Sequence, residues 1–205
     1  MKRLLLVTLT LTATAIGQDV TPAEREKASR YLAETRKGVE DAVKGLSDAQ
    51  WKYKPRPDRW SVAEIVEHLA VIEDIIKGVF ARLPDGAAAA AGRDVAKTDA
   101  EMLAKLLDRS VKFEAPPQAR PAARWTPADA LQHFLASRAE NAELLRSTPG
   151  LRAHTVLHPV FGPLDGYQWM LAVAAHSARH TQQILEVKAD PGFPSVHGTA
   201  APALH

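Results

Sequence analysis

Cysteine is absent from the whole chain. Disulfides, thiolate nucleophiles and zinc–cysteine sites are therefore excluded, and any metal chemistry falls to histidine, aspartate and glutamate. A surplus of basic charge is missing too. The 205 residues carry a formal charge of only +2, and Lys2 and Arg3 account for it. Nucleic-acid binders draw much of their affinity from a gathered basic face that neutralises phosphates, so nucleic acid is not expected as a partner. Beyond the N-terminus, no apolar run is long enough to span a bilayer.

The N-terminus is the exception. Lys2 and Arg3 precede an apolar stretch from Leu4 to Ile16 interrupted only by threonines, and Ala15-Ile16-Gly17 offers small residues for cleavage. This is the layout of a secretory signal peptide over residues 1–17, too short for a comfortable transmembrane helix. Export to the periplasm or the extracellular space is expected, with no stable membrane insertion after cleavage. Residues 22–190 are long enough to enclose one core, leaving 191–205 as a flexible C-terminal tail.

Helix signals dominate that domain. Thr21-Pro22-Ala23-Glu24 combines an N-cap threonine, a proline at the first helical position and a glutamate at N3. The helix it opens is expected to end near Gly45. Ser61-Val62-Ala63-Glu64 is a capping box with Trp60 placed to staple onto Ile65, and it starts a helix to about Arg82. Residues 83–97 read as a mobile loop or a weak helical extension, and Thr98 opens a short helix to about Ser110. After an extended proline-rich linker, Thr126-Pro127 starts a third long helix that stops at Pro149-Gly150. Residues 151–163 read as a loop with room for one short extended pair. Asp165 caps the last helix, with Leu164 and Trp169 as its staple. Four long amphipathic helices without strand signals predict an all-α four-helix bundle. The long inter-helix connections argue against a tight up-down path.

Three histidines occupy positions where histidine is unusual. On the last helix, Trp169, Val173, His176, His180, Ile184 and Val187 form the inward stripe, so the His176 and His180 rings share a face. On the second long helix, His68 falls between Ile65 and Ile72 in the apolar band. A buried, unpaired polar group costs about 1–3 kcal/mol. Few other polar residues fall on these stripes by this reading. A divalent ion bound by the three neutral imidazoles satisfies them and leaves a position open for water. The plainer alternative, hydrogen-bonded core histidines, is weakened because His68 comes from a different helix.

Two familiar metal motifs do not fit. His176-Ser-Ala-Arg-His180 lacks the glutamate of His-Glu-x-x-His, and no Glu-x-x-His recurs on two helices as a di-iron bundle needs. His154 and His158 read as loop residues, with a smaller chance that His158 lines the pocket. His133 is expected to be exposed, and His197 and His205 belong to the tail. Glu64, one turn before His68, is placed to orient its ring or to close the capping box, and the cap is favoured. Arg138 is placed to bind an anionic substrate or, more often for such a residue, to snorkel to water.

Together, Trp60-Ser-Val-Ala-Glu-Ile-Val-Glu-His68-Leu-Ala70, His158-Pro-Val-Phe-Gly-Pro163 and His176-Ser-Ala-Arg-His180-Thr-Gln-Gln-Ile184 resemble the DinB-like metalloprotein superfamily. The resemblance spans roughly residues 22–188. It implies an up-down-down-up four-helix bundle and a site for zinc or nickel at His68, His176 and His180. It also implies either metal-dependent hydrolysis or, as the alternative, low-molecular-weight thiol transfer. Thiol cofactors belong to the reducing cytoplasm, so the export signal counts against transfer. A non-catalytic bundle binding a metal or small ligand is the third reading, and the sequence names no general base. The small-molecule substrate is not encoded in any motif, and exposed helix faces leave room for a homodimer.

Overall fold

The computed structural model describes residues 19–195. The signal-peptide segment, His197 and His205 lie outside the described residues. The elements are six helices, α1 (Pro22–Val43), α2 (Asp48–Lys52), α3 (Val62–Arg82), α4 (Val95–Leu107), α5 (Pro127–Ser147) and α6 (Gly166–Lys188), with three short strands, β1 (Ala87–Ala88), β2 (His154–His158) and β3 (Gly162–Asp165). The expected starts of the long helices are present. Thr21, Ser61 and Asp165 each accept the N3 amide while the N3 side chain returns to the cap amide. Such caps are each worth about 0.5–2 kcal/mol. Gly45, with φ +72°, takes the left-handed turn that leaves α1.

Long-range hydrogen bonds define the path. Tyr167 at the start of α6 donates to Glu24 O at the start of α1, and Lys188 at its end donates to Ala42 O, so α1 and α6 run parallel. Asp74 meets His133, and Lys77, further along α3, meets Glu140, so α3 and α5 are parallel too. Trp60 lies against His180 and His68 against His176, so α3 opposes α6. The result is the up-down-down-up four-helix bundle.

Two apolar clusters fill the interior. One gathers Leu32, Ile76, Leu145, Leu151 and Met170 at the end where α6 begins. The other gathers Val39, Ile65, Val66, Phe134 and Ile184 at the opposite end. Between them, every long helix contributes polar groups to one layer. Thr35, Glu73, Arg138, Asn141 and Ser177 are all buried there, beside His68 and His180.

Several expectations need correction. The expected absence of strands gives way to a small antiparallel sheet in the order β1-β2-β3. The β2–β3 hairpin is the extended pair allowed for in residues 151–163. The β1 strand is two residues of alanine, too short to leave a sequence pattern, and exists only by pairing with Thr155 and His154. Residues 83–97 accordingly form a 3₁₀ turn, β1 and the start of α4. That helix starts at Val95, with Asp94 rather than Thr98 as its cap. Asp99, expected in a capping turn, is instead buried inside α4 and paired with Arg152 at 2.7 Å. Residues 191–195 fold back onto the bundle, where Phe193 packs edge-on against Tyr53 and Pro194 O accepts from Gln50. Among the described residues, no helix is long and apolar enough to cross a membrane.

Candidate metal centre

The three sequence-selected histidines come together, and they form the one histidine or acidic cluster among the described residues with metal-ligand spacing. His176 Nε2 stands 3.1 Å from His68 Nε2 and 3.1 Å from His180 Nε2. Ligand nitrogens around a tetrahedral zinc, at Zn–N distances of about 2.0–2.1 Å, are separated by about 3.3 Å. The imidazoles thus already stand near the spacing that one ion imposes.

The opposite ring edges fix which nitrogens are free. His68 Nδ1 donates to Ala119 O at 2.7 Å, and a carbonyl oxygen only accepts. His180 Nδ1 donates to Gln183 Oε1 at 2.8 Å. Both rings therefore present an Nε2 lone pair to His176. A neutral His176 has one N–H and can satisfy only one neighbour, while its own Nδ1 is buried without a partner. Three converging nitrogens with an orphaned ring edge are a donor set suited to a cation. Burial holds the His68 pKa below its ordinary range, against the pull of the Ala119 bond. Burial and the neighbouring imidazoles hold His176 and His180 further below theirs. All three rings are then neutral near pH 7, the form that ligates. Trp60 closes one side, its ring centroid 5.0 Å from that of His68 and 6.3 Å from that of His180.

The histidines sit in a cleft of about 1050 Å³ between α3 and α6, roofed by the 106–121 segment and the β2–β3 hairpin. Glu67 holds part of that roof. Its carboxylate accepts from Ala122 N at 2.8 Å and from the Arg124 guanidinium at 2.7 Å. This fixes the segment that carries the Ala119 carbonyl. Arg179 donates to the carbonyls of Leu106, Asp108 and Val111 and pins the other end.

The remaining candidates fall into place. Glu64 closes the Ser61 capping box, its carboxylate accepting from Ser61 N at 2.8 Å, and pairs with Lys54 at 2.7 Å, as favoured. Arg138 does not snorkel to water, and its partners lie inside the bundle. It is 1% exposed and donates to Glu73 and Ser177 inside the polar layer. The view that few other polar residues share the stripes is overturned by this layer. His133 is not exposed but half-buried, bonded to Asp74 at 2.7 Å and stacked on Trp125. The Ala130 and Ser137 beside it are buried, because this face of α5 meets α3. His154 belongs to β2 and bonds Gly86 O. His158 lines the cleft. Sequence reasoning missed Glu67, Glu73, Asn141 and Gln183. Glu73 and Asn141 left a signal, being polar residues at inward positions of α3 and α5.

A four-helix bundle with a three-histidine cluster at the base of a cleft defines a class of candidate metal-binding proteins. The family model of the DinB superfamily matches residues 31–184, and the chain belongs to that superfamily. The YuaE protein of Bacillus subtilis (strain 168) is 28% identical over 149 residues, covering 71% of this chain and 88% of YuaE. Among solved structures, YfiT from Bacillus subtilis, described as a probable metal-dependent hydrolase with an unusual four-helix bundle topology, aligns with a TM-score of 0.54. Its identity is 17%, over 85% of this chain and 91% of YfiT. TT2238, described as a four-helix bundle protein, aligns with a TM-score of 0.51 and 19% identity, over 79% of this chain and 98% of TT2238.

Proposed function

We propose that this chain is an exported metal-dependent hydrolase of the DinB superfamily, holding zinc or nickel through Nε2 of His68, His176 and His180. The observation that carries the reading is the convergence of these three nitrogens while Ala119 and Gln183 occupy two of the far ring edges. A divalent ion held there would supply a Lewis acid and a water with a pKa near about 7. The chain's own residues orient the ligands, and Trp60 shields the His68 and His180 rings from solvent. The description of YfiT supports the same reaction class. The export part rests on Lys2, Arg3 and the Leu4–Ile16 run, and N-terminal sequencing of secreted material should begin after Gly17.

The test is elemental mass spectrometry of the purified protein beside a His176→Ala, His180→Ala double variant. About one equivalent of zinc or nickel, lost in the variant, supports the site and justifies a screen of ester, amide and lactone substrates. A protein that takes up neither metal sinks the reading.

A further inference from the structure

The cleft extends well beyond the three histidines, and its far end carries a second polar group. On α6, Trp169 and His176 stand two turns apart, about 10 Å along the axis. Val173 lies between them, and Ile72 and Ile76 of the opposing α3 face the same trough. The middle of the trough is therefore apolar. At its Trp169 end stands His158, its ring centroid 4.8 Å from that of Trp169 and 4.9 Å from that of Phe161.

The hairpin tip fixes the tautomer of His158. Val160 N and Phe161 N donate to its Nδ1 at 3.1 Å and 3.3 Å. An Nδ1 that accepts amide protons carries none, so the neutral ring has its proton on Nε2. Among the described residues, no acceptor meets that Nε2–H. Burial against the two aromatic rings lowers the His158 pKa to about 4. The ring is thus a neutral donor whose acceptor side is already used, and it is unsuited to act as a base.

We propose that His158 Nε2–H binds an oxygen acceptor at the far end of an elongated ligand whose head lies at the three histidines. The substrate class is then an acyl compound with an apolar middle about 10 Å long and a distal oxygen group, a carboxylate being the strongest acceptor for the His158 N–H. This rests on the metal reading above and adds to it a length and a distal polar group.

Two probes of equal chain length separate the alternatives: octanohydroxamate and the monohydroxamate of octanedioic acid. Both have the same metal-binding head, and only the second has a distal carboxylate. Calorimetric titration of the zinc-loaded chain should show the second binding roughly tenfold more tightly, the usual worth of a hydrogen bond to a charged group. In His158→Phe, which keeps an aromatic ring on Trp169, the two probes should bind alike and octanohydroxamate should bind as it does to the wild type. Long-range ¹H–¹⁵N spectra of the histidines give a readout that needs no variant. They should show His158 as the Nε2–H tautomer at pH 7, with a proton shift on adding only the carboxylate-ended probe.

Zinc content is measured on the same samples. A chain without zinc sinks the metal reading. A zinc-loaded chain that treats the probes alike, keeps its preference in His158→Phe or shows the Nδ1–H tautomer overturns the His158 assignment alone.

Discussion

Glu73 and Arg138 form an ion pair at the centre of the bundle, with Arg138 Nη2 2.5 Å from Glu73 Oε1 and side chains only 0% and 1% exposed. Arg138 also reaches Ser177 Oγ and Thr35 Oγ1, while Asn141 donates to the other Glu73 oxygen. One pair thus ties all four long helices at the level of the histidines. Ser177 adjoins His176, so the layer also helps to fix the position of the α6 histidines.

Removing one partner leaves the other charge buried and uncompensated. Glu73→Leu is expected to cost about 3–5 kcal/mol, whereas the double replacement Glu73→Leu, Arg138→Met should be far milder because no charge remains. Urea unfolding of the metal-free proteins measures both. If the double variant is as unstable as the single one, the loss comes from packing and not from the orphaned charge.

This layer also shows where a single sequence stops being readable. The three clustered histidines were legible because histidine is conspicuous on an apolar stripe. The starts of the four long helices were legible because caps are local. The Glu73–Arg138 pair joins residues of α3 and α5, and nothing local says that two charged side chains will face one another rather than water. The β1 strand, the Ala119 carbonyl and the Glu67 anchor likewise depend on which distant segments meet. The place of His158 on the cleft was open in the sequence, but its tautomer follows from the hairpin tip, whose two amides bind Nδ1 only once the turn has formed.

The Gln183 amide gives a test of how the site is oriented. Its Oε1 accepts from His180 Nδ1 at 2.8 Å and so keeps the Nε2 lone pair aimed at the cluster. Gln183→Ala is expected to weaken zinc affinity roughly 10–100-fold without unfolding the bundle. Competition against a chromogenic chelator reads the change. Unaltered affinity would mean that packing alone holds the ring.

Glu67 predicts an acid-side weakness. Burial pushes its pKa up, but the Ala122 amide and the Arg124 amide and guanidinium outweigh this and hold it below the ordinary 4.5. A carboxylate with a lowered folded-state pKa contributes stability that is fully present above the unfolded value and is lost as pH falls through the folded one. Wild-type stability should therefore decline below about pH 4.5 by more than that of Glu67→Gln. The variant should be less stable near pH 7, and the two should converge at lower pH. Thermal melts across pH 3–7 check this, and parallel curves would remove Glu67 from the acid response.

His176 predicts an exchange of stability for metal. Its Nδ1 is buried with no partner, and its Nε2 can satisfy only one of two neighbouring lone pairs when no ion is bound. Such deficits cost about 1–3 kcal/mol. His176→Leu replaces the ring with an apolar group of similar size, which removes the orphaned Nδ1 but leaves the Nε2 lone pairs of both His68 and His180 without a donor. One deficit is exchanged for another, so metal-free His176→Leu should melt within a few degrees of the metal-free wild type, about 1 kcal/mol corresponding to roughly 2–4 °C at this size. Adding zinc should raise the wild type well above the variant, because a ligand that binds only the folded state raises stability in proportion to the logarithm of its excess over Kd. Melting curves of both proteins, with a chelator and with excess zinc, make the comparison. A metal-free variant that melts far below the wild type would show that the three rings satisfy one another without an ion, and the orphaned nitrogen would lose its force as an argument for one.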